Sequence, residues 1–163
     1  MKNFIILVVT TILIVSGCTP KVDIEAEKAL VRVVVNDLEK ALETNDLELI
    51  SKLFSHSPDN IFIGTDAAER WVGYDSFIEA HKQFFVSVEK GSEITLHDVV
   101  LAINKSGDAA WVSCLMDWKG KSQGESFTFE GLRMTIVLEK QDGKWVIVHS
   151  HGSVPVSGQM VKY

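Results

Sequence analysis

The sequence predicts an α+β domain in which three N-terminal helices pack on one face of a strongly curved antiparallel sheet. The hydrophobic period changes along the chain: apolar residues recur at helical spacing up to about residue 88 and at alternate positions from residue 93 onward. Glycines at positions 107, 120, 124 and 143 divide the second part into strands. Amphipathic helices need an apolar surface to cover, and the sheet supplies it.

Three helices are predicted in the first half of the chain, over residues 24–43, 46–54 and 74–88. Each places apolar side chains on one face and charged side chains on the other. Asn45 is predicted to cap the second helix, because Glu48 follows it three residues later. His81 lies on the apolar face of the third helix and is expected to be a partly buried helix residue rather than a ligand. A short strand at residues 61–63 and a loop at 64–73 fill the interval.

Four strands are predicted in the second half, over residues 93–103, 109–118, 126–140 and 144–155. Asp142-Gly143 is typical of a two-residue hairpin loop, which determines the residues that lie opposite each other in the last two strands. It pairs Ile136 with His149 and Met134 with His151. The more apolar face of this hairpin is taken as the one under the helices, so both histidines are predicted to point into the domain.

A second pairing predicts another inward histidine. A two-residue turn at Ser106-Gly107 puts His97 opposite Met116 on an apolar face. Together with aromatic side chains from the loop and the strands, these histidines are predicted to line a cavity. The predicted pocket-lining residues are Trp71, His97, Trp118, Phe127, Phe129, Met134, His149 and His151.

A β-bulge is predicted in the third of these strands. Phe127 and Phe129 are out of phase with Leu132 and Met134, so a regular strand would place the two pairs on opposite faces. One extra residue at Glu130-Gly131 would bring all four to the same side and bend the strand. Such a bend would curl the sheet around a cavity.

The first 17 residues are predicted to be a lipoprotein signal peptide. Lys2 precedes an apolar run over residues 4–15, which is shorter than the roughly 20 residues that a membrane span needs. The small residues before Cys18 resemble a lipobox, which implies lipid on its thiol and anchoring at the extracytoplasmic face of the cell envelope. A plain secretory signal is the alternative. The predicted segments are residues 1–17 as signal peptide, 18–23 as lipidated tether, 24–157 as the domain and 158–163 as a C-terminal tail.

Composition excludes several classes of protein. With 16 Lys and Arg against 22 Asp and Glu, the net charge is −6, and no basic cluster is present for binding nucleic acid. With lipid on Cys18, Cys114 has no disulfide partner, and its apolar strand predicts a buried side chain rather than a nucleophile. No histidine or cysteine spacing typical of a metal site occurs, so neither a metal nor another cofactor is expected.

Two stretches resemble the SnoaL-like branch of the nuclear transport factor 2-like superfamily. Residues 64–75 are similar to the loop that leads into that family's third helix, and Arg133, Thr135 and residues 142–153 are similar to its closing hairpin. The hairpin also resembles that of the association domain of calcium/calmodulin-dependent protein kinase II. The resemblance implies a cone-shaped fold. It also implies a homodimer, because members commonly pair through the outer sheet face.

The resemblance implies less about function, because this scaffold hosts isomerases, dehydratases, cyclases, binding domains and oligomerisation modules. We expect a small, mostly apolar ligand in the cavity. The alternative is an acid–base enzyme using His149 or His151, since imidazole titrates near neutral pH. A non-catalytic dimerisation module is the third hypothesis. The family's enzymes place a carboxylate in the cavity, whereas Asp98 and Asp117 are predicted to face outward here, which favours binding over catalysis.

Overall fold

The computed structural model describes residues 22–158, in which three helices pack on a curved six-stranded sheet. The elements are α1 (Ile24–Thr44), α2 (Leu47–Leu53), β1 (Ile61–Ile63), β2 (Arg70–Val72), α3 (Tyr74–Ser87), β3 (Glu93–Ile103), β4 (Ala109–Ser122), β5 (Glu125–Gln141) and β6 (Lys144–Ser153). The strand order is β2-β1-β6-β5-β4-β3. The predicted fold class is confirmed, and the pair β1–β6 is the parallel pair in an otherwise antiparallel sheet.

The predicted signal peptide, Cys18 and the last five residues lie outside the described residues. None of the helices within residues 22–158 is both long and apolar enough to cross a bilayer. The segment boundaries drawn from the sequence stay predictions.

Side-chain caps begin the first two helices. The Asp23 carboxylate accepts a hydrogen bond from the Ala26 N–H at 3.1 Å and starts α1. Asn45 does not cap α2 as predicted: it ends α1 in the left-handed region with φ 52°, and Asp46 caps α2 instead. The Asn45 side-chain amide donates to the Val88 carbonyl at 2.7 Å, which ties the end of α1 to the end of α3.

The hydrophobic core lies between the helices and the side of the sheet that they cover, here called the concave face. Phe54, Phe62 and Phe77 pack together, with ring centroids 4.2–5.3 Å apart. Ile136 and Ile147 from the last hairpin are 1% and 0% exposed beneath them. The opposite side of the sheet, the convex face, carries no helix among the described residues.

The β-bulge predicted in β5 is confirmed. Glu130 and Gly131 together lie opposite the single residue Asp117. Gly131 has a φ of 65°, in the left-handed region that glycine adopts without strain. Phe129 therefore pairs with Trp118, and both point to the concave face.

The structure contains two further bulges that the predicted strand pairing did not include. In β3, Asp98 and Val99 lie between the paired residues His97 and Val100, and Asp98 has a φ of 51°. In β6, Val148 is an extra residue without a partner in β5. Each extra residue shifts the following pairs by one and turns their side chains to the other face of the sheet.

Candidate functional site

The inward orientation predicted for His149 and His151 is wrong. The last hairpin pairs as predicted from its turn to the bulge at Val148, which then places His151 opposite Thr135 on the convex face. His151 is exposed, and His149 Nδ1 donates to the Ile61 carbonyl at 2.7 Å. Neither imidazole lines the space between the helices and the sheet.

His97 also faces outward, contrary to the prediction. The β3 bulge pairs it with Leu115, one residue from its predicted partner. Its Nε2 lies 3.4 Å from Asp117 Oδ2 and its Nδ1 3.6 Å from Asp98 Oδ2. The Gly131 N–H, which donates to Asp117 at 2.8 Å, lowers the pKa of that carboxyl, and His97 lowers it further. This cluster lies on the convex face, where Asp98 and Asp117 were expected.

The aromatic side chains predicted to line the pocket do meet on the concave face, where α3 adds two more rings. Ring centroids lie 5.4–6.4 Å apart along the chain of contacts Trp71–His81–Phe84–Trp118–Phe127–Phe129. We call these six side chains, together with Met134 of β5, the aromatic cleft.

The aromatic cleft is open, although its side chains point inward. On β5, the inward residues Ile136 and Leu138 are 1% and 0% exposed, whereas Phe129 near the β4–β5 hairpin is 43% exposed. The other cleft side chains are half-buried. The concave face is therefore filled at one end and open to solvent at the other, as in a site that receives a ligand.

His81 is a cleft residue that the sequence reasoning assigned to helix packing alone. Its Nδ1 lies 3.1 Å from the Phe77 carbonyl, which can only accept, so Nδ1 carries the proton. Burial lowers the pKa of His81, which keeps the ring neutral and leaves Nε2 as a bare acceptor. Within residues 22–158, no hydrogen-bond donor reaches Nε2. The signal in the sequence is the spacing of four that joins His81 to Phe77 and Phe85.

Trp118 contributes the opposite polarity. Its indole Nε1 is buried and has no hydrogen-bond partner among the described residues. An indole nitrogen can only donate, and a buried donor left unpaired costs about 1–3 kcal/mol. The cleft thus presents one unpaired donor and one unpaired acceptor on an apolar wall.

A groove of about 470 Å³ adjoins the cleft at Phe127. Its wall consists of residues 89–93, 119–121 and 126–128. It is the polar neighbour of an apolar site, and Phe127 belongs to both.

The remaining candidates do not form a reactive centre. Cys114 is 3% exposed in β4, and burial raises the pKa of its thiol. Across residues 22–158, no three His, Cys, Asp or Glu side chains are grouped so that they could hold a metal ion.

The sequence model of the SnoaL-like domain family matches residues 31–157, most of the chain. The chain belongs to the SnoaL-like domain family. The resemblance drawn from residues 64–75 and the closing hairpin is confirmed, and a SnoaL-like fold is that of a ligand-binding or enzyme-like domain. No curated protein sequence matches this one.

Solved structures with the same fold resemble this SnoaL-like protein at low sequence identity. A nuclear transport factor 2-like superfamily protein from Salmonella enterica serovar Typhimurium is 20% identical, with a TM-score of 0.74 over 85% of this chain and 99% of that one. A proposed dehydratase of the same family from Streptomyces avermitilis is 16% identical, with a TM-score of 0.72 over 82% and 99%. A proposed calcium/calmodulin dependent protein kinase II association domain from Xanthomonas campestris is 19% identical, with a TM-score of 0.66 over 78% and 87%.

Proposed function

We propose that this SnoaL-like domain binds a small, mostly apolar molecule in the aromatic cleft. The observation that carries the proposal is the inward aromatic wall that stays open, with Phe129 43% exposed. Rings of this size gain most from burial, about 25 cal/mol for each Å² of apolar surface covered. A ligand that covers these rings would bury the apolar surface that the helices leave exposed.

The unpaired polar atoms of the cleft give such a ligand its orientation. Trp118 Nε1 would donate to a ligand oxygen, and His81 Nε2 would accept from a ligand hydroxyl or N–H. A few polar groups in an apolar wall are typical of specific small-molecule sites.

The first experiment is mass analysis of small molecules that co-purify with the natively expressed protein, followed by thermal melting with phenylnaphthylamine as a neutral apolar probe. Met134→Trp fills the cleft and should abolish the rise in Tm that the probe causes. Thr135→Trp, one residue away on the convex face, is the matched control and should keep that rise. A rise that survives in Met134→Trp would place the probe elsewhere and contradict the proposal.

An acid–base enzyme is the second candidate, and it now depends on His81 rather than on His149 or His151. The free Nε2 of a neutral imidazole is suited to abstract a proton. One structural neighbour is a proposed dehydratase. Catalysis should appear as deuterium uptake from D2O into a co-purified molecule, lost in His81→Gln; uptake that persists in this variant excludes His81 as the base.

Membrane anchoring is proposed from the leader sequence. Lipid on Cys18 would hold the domain at the extracytoplasmic face of the cell envelope, and its partners there would be the membrane and a second copy of the chain. Cys18→Ser should move the protein from the membrane fraction to the soluble fraction. A variant that stays with the membrane would rule out the lipid anchor.

A further inference from the structure

The groove beside the aromatic cleft forms because the chain bows away from the sheet edge. Val88 bridges to Ser122, and Glu93 lies opposite Lys119, so residues 89–92 span an interval that β4 crosses with two residues. The loop is held on both sides, by the Glu89 N–H to the Lys121 carbonyl at 2.9 Å and by the Gly91 N–H to the Glu43 carbonyl at 3.1 Å. The groove is therefore a consequence of how residues 88–93 pair with β4.

The groove carries an excess of positive charge on an acidic protein. Lys90, Lys119 and Lys121 line it together with Glu89 and Glu93. Among the described residues, none of these three lysines takes part in an ion pair. Three ammonium groups against two carboxylates contrast with a net charge of −6 for the chain.

Unpaired donors lie where the groove meets the cleft. Ser92 lines the groove, is 6% exposed, and its hydroxyl has no partner among the described residues. A Cβ on Gly120 would lie 2.7 Å from Ser92 Oγ and 2.7 Å from Phe127 Cζ, which places this hydroxyl beside the ring shared by groove and cleft. Trp118, whose indole N–H is unpaired among the described residues, and Lys119 are consecutive in β4, so their side chains leave opposite faces of the strand and the lysine lines the groove from the convex side. Lysine and indole nitrogens donate only, so this junction calls for a ligand rich in acceptors.

We propose that the ligand of the aromatic cleft is amphipathic and that the groove holds its anionic group, a carboxylate or another oxyanion. The apolar part lies along the cleft, and the oxyanion accepts hydrogen bonds from the Ser92 hydroxyl and the lysines. This inference rests on the proposed function and adds the chemical class of the ligand.

The test compares two probes that share one aromatic body, anilinonaphthalene sulfonate and the uncharged phenylnaphthylamine, binding to the purified protein by fluorescence titration. The wild type should bind the sulfonate more tightly, and added salt should reduce that preference. Lys119→Gln/Lys121→Gln should weaken sulfonate binding about 3- to 10-fold, with neutral-probe binding unchanged. Lys105→Gln/Lys144→Gln, in and next to the turns at the other end of the sheet, should change neither.

Ser92→Ala separates a binding hydroxyl from a merely buried one. It should weaken sulfonate binding while leaving the free protein at least as stable, because it removes an unpaired buried polar group. Unchanged sulfonate affinity would remove Ser92 from the site and contradict the proposal at that residue.

Several results would overturn the inference while leaving the proposed function intact. Equal affinity for both probes, or equal loss of both in the lysine variant, would show that the groove does not recognise charge. Inorganic phosphate binding as tightly as the sulfonate would show that the apolar part is not needed. Failure of the wild type to bind either probe would overturn the proposed function and this inference together.

Discussion

His81 shows how one side chain links the fold to the chemistry of the cleft. Its ring centroid lies 4.0 Å from that of Phe77 and 6.0 Å from that of Phe85, so the imidazole sits among rings of its own helix. The Phe77 carbonyl fixes the proton on Nδ1. The same burial that keeps this ring neutral makes the fold sensitive to acid.

His81 should make the protein less stable below pH 6.5. Its pKa is lowered by burial, so near pH 6.5 and below the unfolded chain takes up a proton that the folded chain resists, and the free energy of unfolding falls as pH falls. His81→Phe should therefore flatten the dependence of Tm on pH between about pH 5 and 7. His151→Phe, an exposed position, should retain the wild-type dependence. Identical curves for His81→Phe and the wild type would show that this ring is not buried in its neutral form.

The three β-bulges separate the parts of the strand pairing that could be predicted from the sequence from those that could not. The bulge at Gly131 could be predicted, because glycine marks the position and the aromatic residues before it are out of phase. The bulges at Asp98 and Val148 carry no comparable signal, and a β-branched valine favours a regular strand. Helix spacing, turns and core positions were thus predictable.

The register beyond each unmarked bulge was not, because one inserted residue inverts every later side chain. Both errors in the candidate site have this origin: His97 lies beyond the β3 bulge, and His149 and His151 lie beyond the β6 bulge. Phe127 and Phe129 lie on the predicted face of the sheet, because their phase depends on the bulge that glycine marks.

Gly131→Ala should destabilise the β5 bulge. Its φ of 65° strains a residue with a Cβ, although no atom lies within 4 Å of the position that Cβ would occupy. The expected cost is about 1 kcal/mol, or a fall in Tm of about 3–6 °C by thermal melting. Gly131→Asn should lose less, because asparagine tolerates the left-handed region. An alanine variant as stable as the wild type would show that β5 does not need a left-handed backbone conformation at position 131.

The main exposed apolar surface of the whole molecule lies on the convex face of the sheet. Val100 and Trp111 are 69% and 50% exposed there, and Ile61 and Val72 continue the apolar surface on the other edge of the sheet at 37% and 50%. An open apolar face of this kind is a typical interaction surface. A stable pair of copies needs about 800 Å² buried on each partner, and this is the area of the convex face that a homodimer would have to cover.

Trp111→Arg should convert the proposed homodimer to a monomer, because it places a charge among the exposed apolar side chains of the convex face. The measurement is the mass in solution by light scattering. Val86→Arg, on helix α3 and 86% exposed, is the control and should leave the mass unchanged. A wild-type protein that is monomeric at every concentration tested would contradict the proposed homodimer.

Val22 packs against Gly107 at the β3–β4 turn, where a Cβ on the glycine would overlap it. From that turn, β4 runs about nine residues, or roughly 30 Å, before it reaches Trp118. The mouth of the cleft is therefore at the end of the domain that is far from this turn. The proposed lipid anchor at Cys18, a few residues before Val22, would hold the turn end of the domain against the membrane and direct the mouth of the cleft towards the aqueous compartment. The protein would then take up its proposed ligand from solution rather than extract it from the bilayer beneath.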